Sequence, residues 1–166
     1  MRIRAARPGE AGKILDFARA IHTREPFVGL HDPREFDLTV ERVRAEVAHL
    51  QDADHGRYLV AVADNVLLGT LRLARGTTRR TAHVAEVGVS VHPEWRRRGV
   101  AGALLDAALS GLAEIGVRRA TARIIARNEA AVELFRSRGF QEEGRRPDHV
   151  HIDGADTDLL LFGRVT

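Results

Sequence analysis

The chain contains no cysteine. That excludes a disulfide framework, a thiolate metal site and a cysteine nucleophile, and it is compatible with a reducing cytoplasm, the expected location. Lysine is nearly missing too: Lys13 stands alone, so almost all of the 26 basic residues are arginine, a charge that persists far into alkali. Aromatics make up only 5% of the chain, with one tyrosine (Tyr58) and one tryptophan (Trp95), which leaves aliphatic side chains to fill a core. No run of some 18 apolar residues occurs, so no membrane partner is expected. The opening "MRIRAARPGE" lacks the apolar stretch of a secretory signal. A formal net charge of +3 does not argue by itself for nucleic acid. No repeat, low-complexity segment or Gly/Ser/Pro-rich linker divides the 166 residues. One domain over 1–166 is therefore expected, long enough to bury a core without staples.

What is present alternates between two periods. "MRIRAA" reads as a short strand, and Pro8 and Glu10 open a helix with Ile14, Leu15, Ala18 and Ile21 along one stripe. Pro26, Gly29 and Pro33 make "TREPFVGLHDPREF" a loop, and a second helix runs through Val40, Val43, Val47 and Leu50. "GRYLVAVADN" and "VLLGTLRLAR" form a hairpin about Asp64-Asn65. "TAHVAEVGVSVHP" is a strand stopped at Pro93. A helix from about Gly99 to Ile115 follows, ended by Gly116. "RRATARIIA" is a strand, and "NEAAVELFRSRGF" a helix capped by Asn128 and closed at Gly139. Two strands around Asp153-Gly154 complete the chain. Helices flanking a mixed sheet define an α/β (α+β) class.

The stretch "HPEWRRRGVAGALL" combines a strand end, a glycine-bearing loop and a helix start. The first amides of such a helix have no intrahelical acceptor, and its dipole adds partial positive charge. Gly99 lets a phosphate reach the backbone, Ala101 and Gly102 keep the next positions open, and Arg96, Arg97 and Arg98 put cations at the rim. A pyrophosphate cradle fits. The lysine and hydroxyl residue of a Walker loop are missing, as is the three-glycine dinucleotide fingerprint. A nucleic-acid patch would want interleaved aromatics, so no nucleic-acid partner is expected. On the residues alone, a solvated charge run at a helix start remains the commonest explanation of such a stretch.

"VSVHPEWRRRGVAGALLDAAL" resembles the acetyl-CoA signature of the GNAT N-acetyltransferases, Arg/Gln-x-x-Gly-x-Gly/Ala, with Arg96, Gly99 and Ala101 in register. "NEAAVELFRSRGFQEEGR" is similar to that family's Asn-x-x-Ala-x-x-Leu-aromatic-x-x-x-Gly-Phe block, and "HIDGADTDLLLFGRV" to its last two strands. The resemblance implies a GNAT fold: a mostly antiparallel central sheet of six to seven strands with about four helices. It implies acetyl-CoA as co-substrate and no metal. Val89, Ser90 and Val91 would hold the pantetheine arm. The cradle from Arg96 through Arg97, Arg98, Gly99, Val100 and Ala101 to Gly102 would hold the pyrophosphate. Asn128 would reach the cofactor from the next helix, and Phe135, chiefly a core residue, would touch its thioester end.

The implied reaction is direct attack of a primary amine on the acetyl thioester in a ternary complex. The amine must first lose a proton. Strand alternation puts Glu86 on one face with Val84, Gly88 and Ser90, and relatives keep a glutamate there as general base. One departure stands out: the family's frequent thiolate-protonating tyrosine is here Phe135. Tyr58 lies on an early strand and reads as structural, and Ser90 and His92 are poor substitutes. This departure supports the alternative of a non-catalytic acyl-CoA-binding module, against which Glu86 argues. His149 and His151, with Asp148 and Asp153 near, make too few converging ligands for a metal. They read as polar residues beside the acceptor. The acceptor pocket is expected from residues 27–36 and 145–154, where Glu25, Asp32, Glu35 and Asp37 would suit a cationic amine. A homodimer through strand pairing is expected.

Overall fold

The computed structural model describes residues 1–22, 27, 33–52 and 55–166. Strand β1 (Arg2–Ala5) turns at Pro8–Glu10 into helix α1 (Ala11–His22), and helix α2 is Val40–His49. Strands β2 (Gly56–Ala63), β3 (Val66–Arg75) and β4 (Val84–Val91) precede helix α3 (Val100–Leu109). Strand β5 (Arg119–Ile125), helix α4 (Glu129–Ser137) and strands β6 (Gln141–Ile152) and β7 (Ala155–Val165) complete the order. The strands form one sheet, ordered β1-β2-β3-β4-β5-β7-β6. Every neighbouring pair is antiparallel except β4 with β5, which α3 joins as a parallel pair requires. The expected mixed, mostly antiparallel sheet with four helices is what the described residues form. Among them no helix is long and apolar enough to cross a membrane.

Alternation along the central strands sends side chains to two apolar clusters. Leu71, Leu73, Ala85 and Val87 face α3 and α4, packing with Leu104, Leu105, Ala108, Phe135 and Phe140. Val60 on the opposite face packs under α1 and α2, against Ile14, Leu15, Val43 and Val47. At Gly69 a Cβ would stand 2.9 Å from the Ser90 carbonyl and 3.0 Å from Leu104 Cδ1, so the missing side chain is what lets α3 lie close to β3.

Local signals behave as the residues suggest. Asp64 and Asn65 both take positive φ (47° and 64°) at the β2–β3 turn, as do Asp153 (51°) and Gly154 (78°) at the β6–β7 turn, the geometry of a tight hairpin. Thr39 Oγ1 accepts from the Arg42 amide at 3.2 Å and caps α2. Asn128 Oδ1 accepts from Ala131 N at 3.1 Å. At the far end of α4, Phe140 N donates to Phe135 O at 3.1 Å with Gly139 at φ 78°, closing the helix as a Schellman turn does.

The third helix is shorter than its pattern predicts. α3 stops at Leu109, Ser110 leaves helical space, Gly111 takes φ 68°, and a separate 3-10 turn at Ala113–Ile115 ends at Gly116. A local break at Ser110-Gly111 and a tertiary contact coincide there. Arg57 of β2 donates to the carbonyls of Ala108 (3.2 Å), Ser110 (2.5 Å) and Gly111 (3.1 Å), satisfying the helix end that the apolar periodicity alone would have continued.

Candidate active site

β4 and β5 pair only where Val84–Glu86 faces Arg119–Thr121. Beyond Glu86 no β5 partner continues the ladder, and a groove of about 790 Å³ opens beside β4. Val89, Ser90, Val91, Arg96, Arg97, Gly99, Val100, Ala101, Gly102 and Asn128 all line it. Its floor at the helix start is backbone. Arg97 sits at φ 58° and Gly99 at φ 78°, and α3 begins at the next residue, so the chain coils into a concavity of amides with the helix dipole behind it. A Cβ built on Gly99 would meet nothing within 4 Å. The space an anion would need is therefore open, and the group implied by the sequence fits the residues present.

The rim is charged and partly aromatic. Arg96 Nε lies 3.4 Å from the Val91 carbonyl, tying the loop to the strand it follows. Arg97 reaches Glu133 of α4 at 3.5 Å across the groove. Arg138 lies over Gly102, where a Cβ would come within 2.2 Å of its Nη2. Asp106 holds it there at 3.2 Å. At the other end Phe27 joins the lining: its carbonyl accepts from Asn128 Nδ2 at 3.2 Å, and its ring lies 4.8 Å from the Arg127 guanidinium.

Glu86 shares its face of β4 with Gly88 and Ser90 and is not among the residues that line the groove. Its Oε1 accepts from Arg123 of β5 at 3.0 Å (Nε) and 2.7 Å (Nη2). Gly88, two residues on, is in register with Arg72 of β3, which is in turn in register with Tyr58 of β2. Arg72 is paired with Glu46 of α2. Burial first, then the Glu46 carboxylate, pushes the Tyr58 hydroxyl up to about 12. The hydroxyl is therefore protonated at neutral pH. Tyr58 instead shares a small cavity under α1 with Thr70 and Ser90.

The profile of the Acetyltransferase (GNAT) family matches residues 18–140, which include the whole groove. The chain belongs to the GNAT acetyltransferase family. It is 28% identical over 117 residues to L-amino acid N-acetyltransferase AaaT of Escherichia coli, covering 70% of this chain and 72% of that one. Its fold superposes on the GNAT-family acetyltransferase of Streptococcus pneumoniae with a TM-score of 0.92 at 23% identity, over 99% and 98% of the two chains. It superposes on yncA of Salmonella typhimurium, a putative acetyltransferase solved with acetyl-CoA, with a TM-score of 0.88 at 20% identity, over 99% and 93%. The family is one of acyltransferases.

In this GNAT chain two of the expected cofactor residues stand outside the groove lining. Arg98 turns to Trp95, its guanidinium 4.9 Å from the ring centroid. Phe135 is 3% exposed and packs edge-on against Phe140, with ring centroids 5.0 Å apart. It is chiefly a core residue, as its place in the pattern predicts. Asn128 lines the groove, yet both ends of its amide have partners within the chain, Ala131 and Phe27. His151 pairs with Asp156 at 2.7 Å. Among the described residues no group of three or more His, Asp or Glu is placed to hold a metal. Glu25 and Asp32 lie outside the described residues.

Arg138, Phe27 and Arg123 were not singled out from the sequence. Arg123 was within reach: alternation along "RRATARIIA" puts Arg119, Thr121 and Arg123 on one face. Which face of β4 they share depends on the parallel register, and that is tertiary information.

Proposed function

We propose that this chain is an acetyl-CoA-dependent N-acetyltransferase that moves the acetyl group directly to a primary amine, with residues 1–166 acting as one unit and Glu86 as general base. The observation that carries it is the groove, open at Gly99, walled by β4 and α4, and ending where β4 and β5 part. Acetyl-CoA supplies an activated acyl group. The amides from Arg97 to Gly102 suit its pyrophosphate, and the free edge of Val89 to Val91 suits an extended arm with alternating amide groups. The names of the relatives, among them one acting on L-amino acids, agree with a small amine as acceptor.

Glu86 takes a proton from the acceptor ammonium, either directly or through water. The lone pair so freed forms the N–C bond to the acetyl carbon. As the C–S bond breaks, its pair goes to the sulfur, which is protonated by solvent, while the nitrogen gives up its second proton. Phe135 has no hydroxyl, and Tyr58 lies in the cavity under α1 and not in the groove lining, so solvent water is the proton donor of this reading. A non-catalytic acyl-CoA-binding module has less behind it, since the family match and Glu86 both favour catalysis. The homodimer expected from strand pairing would use β6, the edge strand of the final hairpin, whose side chains are largely exposed.

Thiol release from acetyl-CoA across amino acids, polyamines, aminoglycosides, arylamines and N-terminal peptides tests the activity. Release should depend on one amine class. Glu86→Gln should lower turnover about a hundredfold while acetyl-CoA affinity stays within twofold. Unchanged turnover at neutral pH would remove Glu86 from the mechanism.

A further inference from the structure

Glu86 and Arg123 meet where the sheet stops being continuous. The β4–β5 ladder ends at Glu86 and Thr121, and Arg123 lies two residues past Thr121 on the same face. Its guanidinium reaches back across the opening to the base proposed above, with Nε and Nη2 at 3.0 and 2.7 Å from one carboxylate oxygen. The two side chains are 44% and 46% exposed, so a solute reaches both from solvent. The strand floor beside them is bare: a side chain built on Gly88 would touch nothing within 4 Å. On the far side of Gly88, Arg72 is already held by Glu46.

Arg123 engages Oε1 of Glu86 alone, so the second carboxylate oxygen can take an ammonium. An acceptor that brings only an ammonium would set a second cation beside Arg123, an arrangement opposed by their repulsion. An acceptor with amine and carboxylate on one carbon answers both charges of the pair at once. Its carboxylate takes the guanidinium fork, whose planar donors match a carboxylate bidentately, and its ammonium takes Glu86. We propose that Arg123 is the specificity-determining residue of this site, and that it selects α-amino acids by holding their carboxylate while Glu86 receives their amine. This rests on the acetyltransferase reading and adds what the acceptor must carry. After transfer the nitrogen is a neutral amide, so the product keeps its hold on Arg123 but loses Glu86. The ion pair then re-forms and competes the product away.

The test compares kcat/KM for common L-amino acids, their carboxamides and the corresponding decarboxylated amines, in the wild type, Arg123→Gln and Arg123→Lys. The free acids should be preferred over their carboxamides by roughly a hundredfold. That preference should collapse to a few-fold in R123Q and recover in part in R123K, with acetyl-CoA affinity equal in all three. Thermal melts confirm that the variants are folded, and the partial rescue by lysine separates a charge contact from a packing effect. Acids and carboxamides used alike by the wild type would overturn the proposal, as would an R123Q variant that loses activity on both alike and keeps the preference. In either case the acetyltransferase reading stands. If the acetyl-CoA-loaded wild type turned over none of the three series but released thiol with another amine class, this proposal alone would fail; silence across the wider amine panel would sink both.

Discussion

Glu10 shows how much one side chain does at the start of the chain. Its carboxylate takes two hydrogen bonds from Arg4, at 2.6 and 2.8 Å, and one from the Arg7 amide at 2.9 Å, fixing the turn that leads into α1. The Arg4 contact, opposed by partial burial and aided by the Arg7 amide, holds its pKa down at about 2. A carboxyl lower in the folded state than in the unfolded one stabilises the fold above its ordinary value, near 4.3. That contribution is lost as pH falls through about 2. Glu10→Gln should therefore cost about 1 kcal/mol at pH 7, discounted because the pair is partly solvated. The difference from wild type should vanish as pH is lowered from about 4.5 towards 2. Denaturant unfolding at a series of pH values checks this, and a difference that persisted at pH 2 would contradict the assignment. Glu86 is the opposite case. Its ion pair with Arg123 is nearly half exposed and lies where the β4–β5 ladder ends, so it contributes little to stability.

At the scale of elements, the turn into α3 matters most. Gly99 caps the helix in left-handed space and faces open volume, so a substitution acts twice. A β-branched residue there costs about 1–2 kcal/mol in backbone strain, and its side chain projects into the groove. Gly99→Val should raise the acetyl-CoA Kd about tenfold or more while the far-UV circular dichroism keeps its native shape. Calorimetric titration reads the affinity, and an undiminished value would remove the groove from the assignment. The same helix shows where a pattern misleads. Apolar periodicity from Val100 to Ile115 is sustained, yet the helix ends at Leu109, where Gly111 turns into left-handed space and Arg57 holds the last carbonyls. Thr39, Asn128 and Gly139 behave the other way, since each cap is a bond between residues within a few positions and so is readable locally.

At the scale of the whole molecule, the core beneath the groove joins the sheet to both helices that wall the site. Leu104 is fully buried between β3, α3 and their neighbours, and Gly69 already brings the strand as close as it can come, so little collapse is available. Leu104→Ala should cost about 3 kcal/mol, and lower Tm by roughly 10 °C at this chain length. A thermal melt showing a loss of only 1–2 °C would mean that the core relaxes around the cavity. Much of this architecture was legible beforehand. Alternation marked the strands, Asp64-Asn65 and Asp153-Gly154 marked the hairpins, and Gly99 marked the turn into α3, because each depends on φ/ψ preference or on residues adjacent in sequence. The acceptor side was less legible. The pair of Glu86 with Arg123 spans 37 positions, and the hold of Arg57 on α3 spans 51 to 54. Both follow from how strands distant in the chain are brought into register. The sequence by itself determined most of the elements, their caps and the left-handed turn into α3. Only the tertiary structure decided that Glu86 would meet an arginine at the parting of two strands, since the ladder between β4 and β5 sets which side chains lie opposite one another and where that ladder ends.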